Sequence, residues 1–416
     1  MKPRIGVAGM THLGLVTATA FAAAGFDTVC YDADVRLVSR LSAGELPVVE
    51  PGLAEALHAN GARQRFTAEI AALRTCDVVV VAPDVPTDAE ARSDLSGVRA
   101  LALEVFASTG PDATLVVLCQ VPPGFTRALA LPAARVFYQV ETLVFGEALS
   151  RARGPERIIV GAADPDTPLP AAYATLLAAF GCPVLKMRYE SAELAKIAIN
   201  FCLVATVSVA NTLGELAEKI GADWHEIVPA LRLDRRIGPH AYLSPGLGIA
   251  GGNLERDLET VAALAAAKGS DAGIVAAWRA NSRRRRDWVY DRMPADLRAR
   301  GTVGILGLSY KENTASTRNA PSLALVARLG AGRVRVHDPA ADPACVAGAV
   351  VCADPYAVAD GAEALAVMTP WPVYRTLDPA ALAARMRGRM LFDPYGVIDA
   401  QAAVAAGFVH HRLGRG

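Results

Sequence analysis

The same short pattern stands near both ends of this chain: a run of β-branched and small apolar residues, a glycine turn, and then a helix-forming segment. Near the start, residues 5–9 form an apolar strand pattern that leads into the helix pattern of residues 13–24. Residues 302–308 repeat the strand, and a helix pattern follows from Pro321. Short apolar strands that alternate with helices are typical of parallel sheets covered on both faces. The repeat predicts two Rossmann-like, doubly wound parallel-sheet α/β domains.

Further β-branched runs occur at the spacing that crossover helices require. They are residues 28–32, 78–82, 115–118 and 158–161 in the first half, and 333–337, 364–368 and 390–393 in the second. Between the two halves, residues 191–220 carry apolar side chains at three- and four-residue steps without a proline. This pattern predicts one long helix, too apolar to lie alone on a surface. We expect it to join the two domains as a spine or to form the core of a dimer.

Composition gives no support for several classes of partner. Lys plus Arg equals Asp plus Glu at 42 each, which does not favour a nucleic acid or a membrane surface. The basic run at residues 283–286 is interpreted as a solvated helix face rather than a phosphate clamp. No uninterrupted apolar stretch approaches the roughly 20 residues of a membrane span, and no export segment precedes the first strand. We expect a cytoplasmic protein.

The 7 cysteines form no C-x-x-C pair, and four of them (30, 76, 119 and 352) lie in or beside apolar runs. Such cysteines behave as small core residues, and the pattern is typical of a reducing compartment. The pair His410–His411 has metal-ligand chemistry but no partners at suitable spacing. We interpret it as part of a solvated tail and expect no metal site.

Residues 9–14 (G-M-T-H-L-G) follow the first strand and open a helix, where a dinucleotide fingerprint is expected. The free amides of a helix N-terminus bind a diphosphate. A carboxylate at the end of the second strand, here Asp32, binds the ribose hydroxyls of NAD and would repel the 2′-phosphate of NADP. Thr11 replaces the second glycine, so a Rossmann unit without a cofactor remains an alternative. The predicted NAD-binding residues are Gly9, Thr11, Leu13, Gly14 and Asp32.

Several longer segments carry a more specific pattern. They are residues 42–53 (S-A-G-E-L-P-V-V-E-P-G-L), 121–124 (V-P-P-G), 193–200 (E-L-A-K-I-A-I-N), 236–238 (R-I-G), 245–257 (P-G-L-G-I-A-G-G-N-L-E-R-D) and 306–318 (L-G-L-S-Y-K-E-N-T-A-S-T-R). In this order and spacing they resemble the UDP-glucose/GDP-mannose dehydrogenase family over nearly the whole chain. Residues 368–371 (M-T-P-W) resemble the family's T-x-W-P turn, which we expect to be structural.

The resemblance implies an enzyme that takes a nucleotide sugar and removes hydride from C6 with NAD. Family members oxidise a primary alcohol twice to an acid, and a cysteine traps the intermediate aldehyde. Asn253 stands at the position of that cysteine, and an amide cannot act as the nucleophile. The residues that serve water and thioester hydrolysis are also replaced, by Gln120 for a threonine and Phe145 for the second glutamate of the family's N-P-E-F-L-R-E-G segment. Gln139 and Val144 replace its asparagine and arginine, and its first glutamate is retained as Glu141.

The residues that serve hydride removal remain. Lys196 and Asn200 lie one helical turn apart, so both face one side of a helix. The resemblance implies that they hold the oxygen on the reacting carbon, and that Asp257 accepts the hydroxyl proton. Without the resemblance, Lys196 would be interpreted as a surface lysine and Asn200 as a polar contact between helices.

The resemblance also implies a division of the remaining sites. The chain would comprise an NAD-binding domain (1–185), a central helical domain (186–290) and a nucleotide-sugar-binding domain (291–416). Arg236 would reach the substrate across a subunit boundary of a homodimer or higher homo-oligomer, although an ordinary surface ion pair is the alternative for Arg236, Lys311 and Arg318. The further cofactor residues would be Pro86, Gln120 and Arg318, and the substrate residues Arg236, Gly246, Gly248, Gly251, Tyr310 and Lys311.

Together these features predict a nucleotide-sugar dehydrogenase that performs a single two-electron oxidation. A secondary C6 alcohol explains the losses, because its ketone product has no second hydride to give. An octose nucleotide sugar of an antibiotic pathway is one candidate substrate. Two alternatives remain: a catalytically silent homologue that binds nucleotide sugar or pairs with an active subunit, and an acid-forming enzyme that works without a thioester.

Overall fold

The computed structural model describes residues 2–88 and 90–415. The chain divides into two compact units, Met1–Ile199 and Asn200–Gly416, and each contains one β-sheet. The prediction of two doubly wound α/β domains joined by a long helix is confirmed.

The first unit is built on an eight-stranded sheet in the order β3-β2-β1-β4-β5-β6-β7-β8. The strands are β1 (Ile5–Ala8), β2 (Thr28–Tyr31), β3 (Gln64–Thr67), β4 (Val78–Val81), β5 (Thr114–Val117), β6 (Val136–Gln139), β7 (Ile158–Ala162) and β8 (Val184–Arg188). The helices are α1 (His12–Ala23), α2 (Val35–Ser42), α3 (Leu53–Ala59), α4 (Ser96–Ser108), α5 (Ala148–Arg153) and α6 (Ala171–Ala178). Neighbouring strands run parallel except β6 and β7, which pair antiparallel.

The central strands of this sheet are buried along their whole length, because apolar clusters cover both faces. A strand buried on both faces needs a continuous apolar run, which is why these strands were predictable. The edge strands β3 and β8 were not predicted, since each carries exposed or half-exposed polar residues. The interior strand β6 was not predicted either, although three of its four residues are buried. The order places the ends of β1, β2 and β4 side by side, where a dinucleotide fingerprint is expected.

The second unit repeats this architecture with a six-stranded, all-parallel sheet in the order β11-β10-β9-β12-β13-β14. The strands are β9 (Val303–Leu306), β10 (Val334–His337), β11 (Val350–Val351), β12 (Ala364–Val367), β13 (Met390–Phe392) and β14 (Val409–His411). The helices are α8 (Trp224–Leu233), α9 (Asn253–Lys268), α10 (Gly273–Arg286), α11 (Trp288–Arg292), α12 (Ala295–Arg300), α13 (Pro321–Leu329), α14 (Pro379–Arg385) and α15 (Ala400–Ala405).

The four cysteines predicted to lie in cores, at positions 30, 76, 119 and 352, are buried.

The predicted long helix is present as α7 (Tyr189–Ile220), with 32 residues. Its most apolar window has a mean hydropathy of 1.7, and 39% of that window is buried in this chain. By length and composition alone the helix could cross a membrane, but the core helix of a soluble protein passes the same test. Val209, Leu213, Leu216 and Ile220 are exposed at helical spacing, so one side of its C-terminal half carries an apolar stripe.

The interpretation of residues 283–286 as a solvated face is wrong for Arg285. Its side chain is 1% exposed and lies 3.5 Å from both Glu215 and Glu218. The adjacent Arg284 also forms an ion pair with Glu215. A buried guanidinium must be paired, and the two glutamates of α7 provide the partners. Ion pairs from this basic run therefore hold α10 against α7.

Replacing Glu215 is expected to lower stability in a pH-dependent way. The hydrogen bond from Arg284, together with Lys219 and Arg285, lowers the pKa of Glu215 from 4.5 to about 2. A depressed folded-state pKa stabilises above pH 4.5, and the stabilisation is lost as the pH falls toward 2. Glu215→Gln should cost roughly 2 kcal/mol at pH 7. Urea unfolding at several pH values should show this difference closing below about pH 3, whereas Glu69→Gln, an exposed control, should show none.

The interpretation of His410 and His411 as a solvated tail is also wrong. Both lie in β14, which pairs in parallel with β13. The ring of His411 stacks on Phe392 at 5.2 Å between centroids, and the side chain of His410 is 4% exposed. The C-terminal segment therefore forms the edge strand of the sheet, and His411 packs against the fully buried Phe392.

Candidate active site

The turn after β1 has no room for side chains at two of its glycines. Gly9 adopts a φ of +93°, and a Cβ there would lie 2.8 Å from the backbone nitrogen of Pro83. A Cβ on Gly14 would lie 1.8 Å from the carbonyl oxygen of Gly9. Thr11, in contrast, has an ordinary φ of −75°, and its hydroxyl donates to the carbonyl of Ala82 at 3.1 Å. The second glycine is therefore not needed for backbone conformation here.

The carboxylate of Asp32 is held beside this turn. It accepts hydrogen bonds from the amides of Met10 at 2.7 Å and of Asp34 at 2.9 Å. The side chain of the N-cap residue Thr11 makes no capping hydrogen bond to α1, which suits the binding of an anion by the first-turn amides. A narrow turn, an uncapped helix N-terminus and a fixed carboxylate fit the diphosphate and ribose of NAD. Leu13, which follows the turn, is half-buried against the core.

The chain is expected to bind NAD and to have little affinity for NADP, because Asp32 would meet the extra phosphate with a negative charge. Thr11→Gly should tighten NAD binding if, as we expect, the threonine side chain hinders the approach of the diphosphate to the backbone. Calorimetric titration of both nucleotides measures this directly. Asp32→Asn is the matched variant. Binding of NADP by the wild-type chain as tightly as NAD would contradict the role of Asp32.

Lys196 is buried in the first unit and forms an ion pair. Its side chain is 10% exposed, and the ammonium lies 3.1 Å from Oε2 of Glu141, which is 15% exposed. Glu141 follows β6, and its Oε1 accepts a hydrogen bond from the amide of Leu143. The interpretation of Lys196 as a surface lysine is therefore wrong. The retained glutamate of the N-P-E-F-L-R-E-G segment is its partner.

Asn200 and Asp257 contact each other in the second unit. The amide of Asn200 donates to Oδ2 of Asp257 at 2.5 Å, and the two residues are 8% and 2% exposed. Asp257 lies in the first turns of α9, and Asn200 lies one turn after Lys196 along α7. The polar contact between helices considered for Asn200 therefore joins two of the predicted catalytic residues.

Asn253 is the first residue of α9 and is exposed. Its Oδ1 accepts a hydrogen bond from Arg256 at 3.2 Å. The position is thus a helix N-terminus, where a thiolate would be stabilised, but the side chain present is a neutral amide. It offers hydrogen bonds and no nucleophile.

The glycine loop before α9 packs against the segment that follows β9. A Cβ on Gly251, which has a φ of +77°, would lie 2.9 Å from the ring of Tyr310. The amide of Gly251 donates to the carbonyl of Arg318 at 3.1 Å. Lys311 lies 6.0 Å from the centroid of the Tyr310 ring. The structure therefore brings Gly251, Tyr310, Lys311 and Arg318 together.

The other predicted residues have contacts of their own within their units. Gly248 has a φ of +82° beside Ser282, and the amide of Gly246 donates to Asn211 at 2.8 Å. The side chain of Arg236 is 89% exposed and pairs with Asp234 at 2.6 Å. In the first unit, the carbonyl of Pro86 accepts from the amide of Asp94, and Gln120 is 9% exposed.

Sequence reasoning missed a cluster around Glu50, the glutamate of the E-P-G-L loop. This carboxylate, 1% exposed, lies 2.9 Å from Nε2 of His12 and accepts from the amides of Gly146 at 3.0 Å and Ala148 at 2.7 Å. The ring of His12 stacks on Phe145 at 4.5 Å between centroids. Glu50 therefore connects the start of α1 with the loop that contains Phe145. The E-P-G-L pattern was the available signal.

Glu193 was recognised only as part of a motif, yet it is fully buried and orders the V-P-P-G turn. Its carboxylate accepts from the amides of Gly124 at 2.5 Å and Thr126 at 2.8 Å. Burial raises the pKa of Glu193, and the hydrogen bonds from Thr126 and Gly124 only partly counter it.

In the T-x-W-P turn, Thr369 donates to the carbonyl of Ser309 at 2.6 Å and Trp371 to Asp338 at 3.1 Å. Both contacts are structural.

The three domain models of one family match the chain in order. The UDP-glucose/GDP-mannose dehydrogenase family's NAD binding domain matches residues 3–179, its central domain residues 190–283 and its UDP binding domain residues 304–400. The chain is 32% identical to the UDP-glucose 6-dehydrogenase of Pseudomonas aeruginosa, with coverage of 99% of this chain and 97% of that protein.

Solved structures agree. A UDP-glucose dehydrogenase from Pyrobaculum islandicum is 30% identical with a TM-score of 0.83 and coverage of 94% of each chain. A UDP-D-ManNAc dehydrogenase from Pyrococcus horikoshii, 22% identical, shares the fold with a TM-score of 0.85 over 99% of each chain. The chain therefore belongs to the UDP-glucose/GDP-mannose dehydrogenase family and is an NAD-dependent oxidoreductase that acts on a CH–OH group of a nucleotide sugar.

Proposed function

We propose that this enzyme performs one two-electron oxidation, of a secondary C6 alcohol of a nucleotide sugar to a ketone. The observation that carries the proposal is the side chain of Asn253. Asn253 stands at the start of α9, where the resemblance aligns the family cysteine. Its side-chain amide accepts a hydrogen bond from Arg256. Four residues further along the same helix, the family's aspartate is retained as Asp257, which accepts a hydrogen bond from Asn200.

The residues around hydride removal support this chemistry. NAD supplies the hydride acceptor when bound. Lys196 and Asn200 hold the alcohol oxygen and stabilise the negative charge that develops on it as hydride leaves. An ammonium group carries three N–H donors, so pairing with Glu141 leaves donors for a substrate oxygen. Asp257 accepts the hydroxyl proton, directly or through a water.

The surroundings of Phe145 support a single oxidation. Acid formation requires a water to be activated and a thioester to be cleaved. Phe145 places an aromatic ring, stacked on His12, where the family has a second glutamate. Gln120 replaces the threonine that helps to position water. A ketone product needs neither function, because it has no second hydride to give.

The substrate we propose is a sugar with carbons beyond C6, so that its 6-hydroxyl is secondary. An octose linked to UDP or GDP in antibiotic sugar biosynthesis has this form. The division into domains 1–185, 186–290 and 291–416 assigns NAD to the first and the nucleotide sugar to the last. The chain is proposed to act in the cytoplasm.

The test is to incubate the protein with NAD and a panel of nucleotide sugars, and to weigh the products by mass spectrometry. Loss of two hydrogens from a sugar with a secondary 6-hydroxyl is expected. Gain of an oxygen as well would identify an acid-forming enzyme and overturn the proposal. If the protein binds a nucleotide sugar and NAD but forms no NADH, the catalytically silent homologue would be favoured. The absence of a nucleophile at residue 253 is the observation that supports that alternative.

The chain is expected to form a homodimer through α7. The exposed stripe of Val209, Leu213, Leu216 and Ile220 would be covered by a second copy, because apolar surface of this kind favours association. Light scattering should report a dimer at micromolar concentration, and Leu216→Asp should dissociate it. Leu103→Asp, on an exposed apolar residue of α4, is the control. A monomeric wild type would contradict the prediction and the placement of Arg236 at a neighbouring site.

A further inference from the structure

A cavity of about 650 Å³ opens beside the edge strand β14 in the second unit. Its lining contains Arg292, His410, His411, Arg412 and Arg415. Residues of α15 form an apolar part of the wall. None of the lining residues belongs to the proposed cofactor, catalytic or substrate sets, so the cavity is separate from the proposed active site.

The charge of this cavity is predominantly positive. Glu218 is occupied, since it pairs with Arg292 at 2.5 Å and accepts from the amide of Gly414 at 2.8 Å. Arg415 lies 3.6 Å from Asp223. Arg412 has no ion pair within residues 2–88 and 90–415. The cavity therefore contains at least one cation that the described chain does not neutralise.

Several side-chain nitrogens at this cavity also have no hydrogen-bond partner among the residues that the structure describes. His410 is 4% exposed on its side chain, and its Nε2 makes no hydrogen bond, although the buried carboxylate of Asp393 lies 3.4 Å away. Nε2 of His411 and Nε of Arg412 are likewise buried, with no hydrogen-bond partner in the described part of the chain. Buried polar groups in folded proteins are nearly always satisfied.

The position and shape of the cavity favour a small organic ligand. His411 ends β14 and Asp393 follows β13, and ligands of open α/β sheets bind at these carboxyl ends. Ligand pockets typically measure about 300–1,000 Å³, whereas a water occupies about 30 Å³. Val404 and Ala405 of α15 offer apolar contact for a carbon skeleton.

The backbone makes room for the guanidinium of Arg412. A Cβ on Gly396, which has a φ of +64°, would lie 2.0 Å from Nη2 of Arg412. Burial, together with Arg292 and His410, lowers the pKa of His411. This is the response expected of an imidazole among cations. No group of three metal-ligating side chains occurs within the described ranges, which does not favour a metal ion here.

We propose that this cavity binds a small organic phosphomonoester, whose phosphate contacts His410, His411 and Arg412 and whose carbon skeleton lies against α15. A phosphate has three terminal oxygens, and guanidinium and imidazole N–H groups are its usual protein donors. The proposal does not depend on the reaction catalysed at the other site.

The experiment is a titration of the full-length protein with glucose 6-phosphate, followed through the ring resonances of the 7 histidines by NMR. His410→Gln and His411→Gln assign the two relevant signals. We expect saturable shifts of both signals, no shift with glucose, and at least tenfold weaker binding of inorganic phosphate. Absence of saturable shifts, or equal shifts with glucose, would overturn the proposal. Equal affinity for inorganic phosphate would overturn the assignment of an organic ligand.

Variants locate the site independently. Arg412→Gln should weaken glucose 6-phosphate at least tenfold, and Arg412→Lys should retain more of the affinity. Arg300→Gln, on an exposed arginine at the end of α12, is the control and should bind as wild type does. If Arg412→Gln alters the thermal midpoint, His411→Gln, followed through the His410 signal, serves as the second variant. Unchanged affinity in a folded variant of either residue would contradict the site.

Discussion

Lys196→Ala and Asp257→Ala are each expected to lower kcat by roughly a hundredfold or more, whereas Asn253→Ala lowers it only modestly. A donor that stabilises charge in the transition state, or a group that accepts the proton, commonly contributes about 10² or more to the rate. Asn253 has neither role if the product is a ketone. Steady-state NADH formation with the substrate identified by the nucleotide-sugar panel measures the three effects.

Two controls separate chemistry from folding. Lys219→Ala removes an exposed lysine from the same helix, where it pairs with Glu215, and should leave kcat unchanged. Asp271→Ala, an exposed carboxylate after α9, should do the same. If Asn253→Ala were as inactive as Lys196→Ala in folded protein, residue 253 would have a direct catalytic role.

Asn253→Cys is expected to yield no carboxylate from a primary 6-alcohol, even though the new thiol would be well placed to react. The first residue of α9 lies at a helix N-terminus, and both the helix dipole and Arg256 would lower the pKa of a cysteine there. Covalent trapping of an aldehyde would then be chemically accessible. Transfer of a second hydride from the thiohemiacetal to NAD would give a thioester, and this thioester would remain unhydrolysed because Gln120 and Phe145 do not activate water.

Mass spectrometry of the products and of the protein distinguishes the outcomes. The new thiol should be alkylated rapidly by iodoacetamide, which shows that it is reactive, and Asn253→Ser provides the matched control without a thiol. Formation of a carboxylate by Asn253→Cys would mean that the rest of the site is still that of a two-step dehydrogenase. The proposal of a coordinated loss would then be wrong.

The sequence predicted the long helix and most of the central strands, because these leave an unambiguous hydrophobic pattern, but it did not predict the central strand Val136–Gln139. Strands buried on two faces need continuous apolar runs, as in Val78–Val81, where all four residues are buried. The edge strand Val184–Arg188 ends in lysine, methionine and arginine and has no such pattern. The antiparallel pairing of Val136–Gln139 with Ile158–Ala162 follows from chain direction, which local pattern does not encode.

The sequence allowed the members of the candidate site to be proposed, but it did not predict their contacts. The helical spacing of Lys196 and Asn200 fixed their common face. Their partners Glu141 and Asp257 are distant in sequence, so only the fold establishes these contacts. Arg285 and His410 were misassigned because polar residues are usually exposed, and both are buried against carboxylates.

Glu50 has a consequence for the local dynamics of the first unit. Its carboxylate receives two backbone amides from the segment that includes Phe145 and lies against His12 at the start of α1. Hydrogen bonds to a buried carboxylate are among the stronger ones, and detachment of this segment would leave the buried charge of Glu50 without these two donors. The segment and the first turn of the cofactor helix therefore form one cooperative opening unit, whose amides should exchange with solvent together. Repositioning Phe145 would require the fingerprint helix to fray as well.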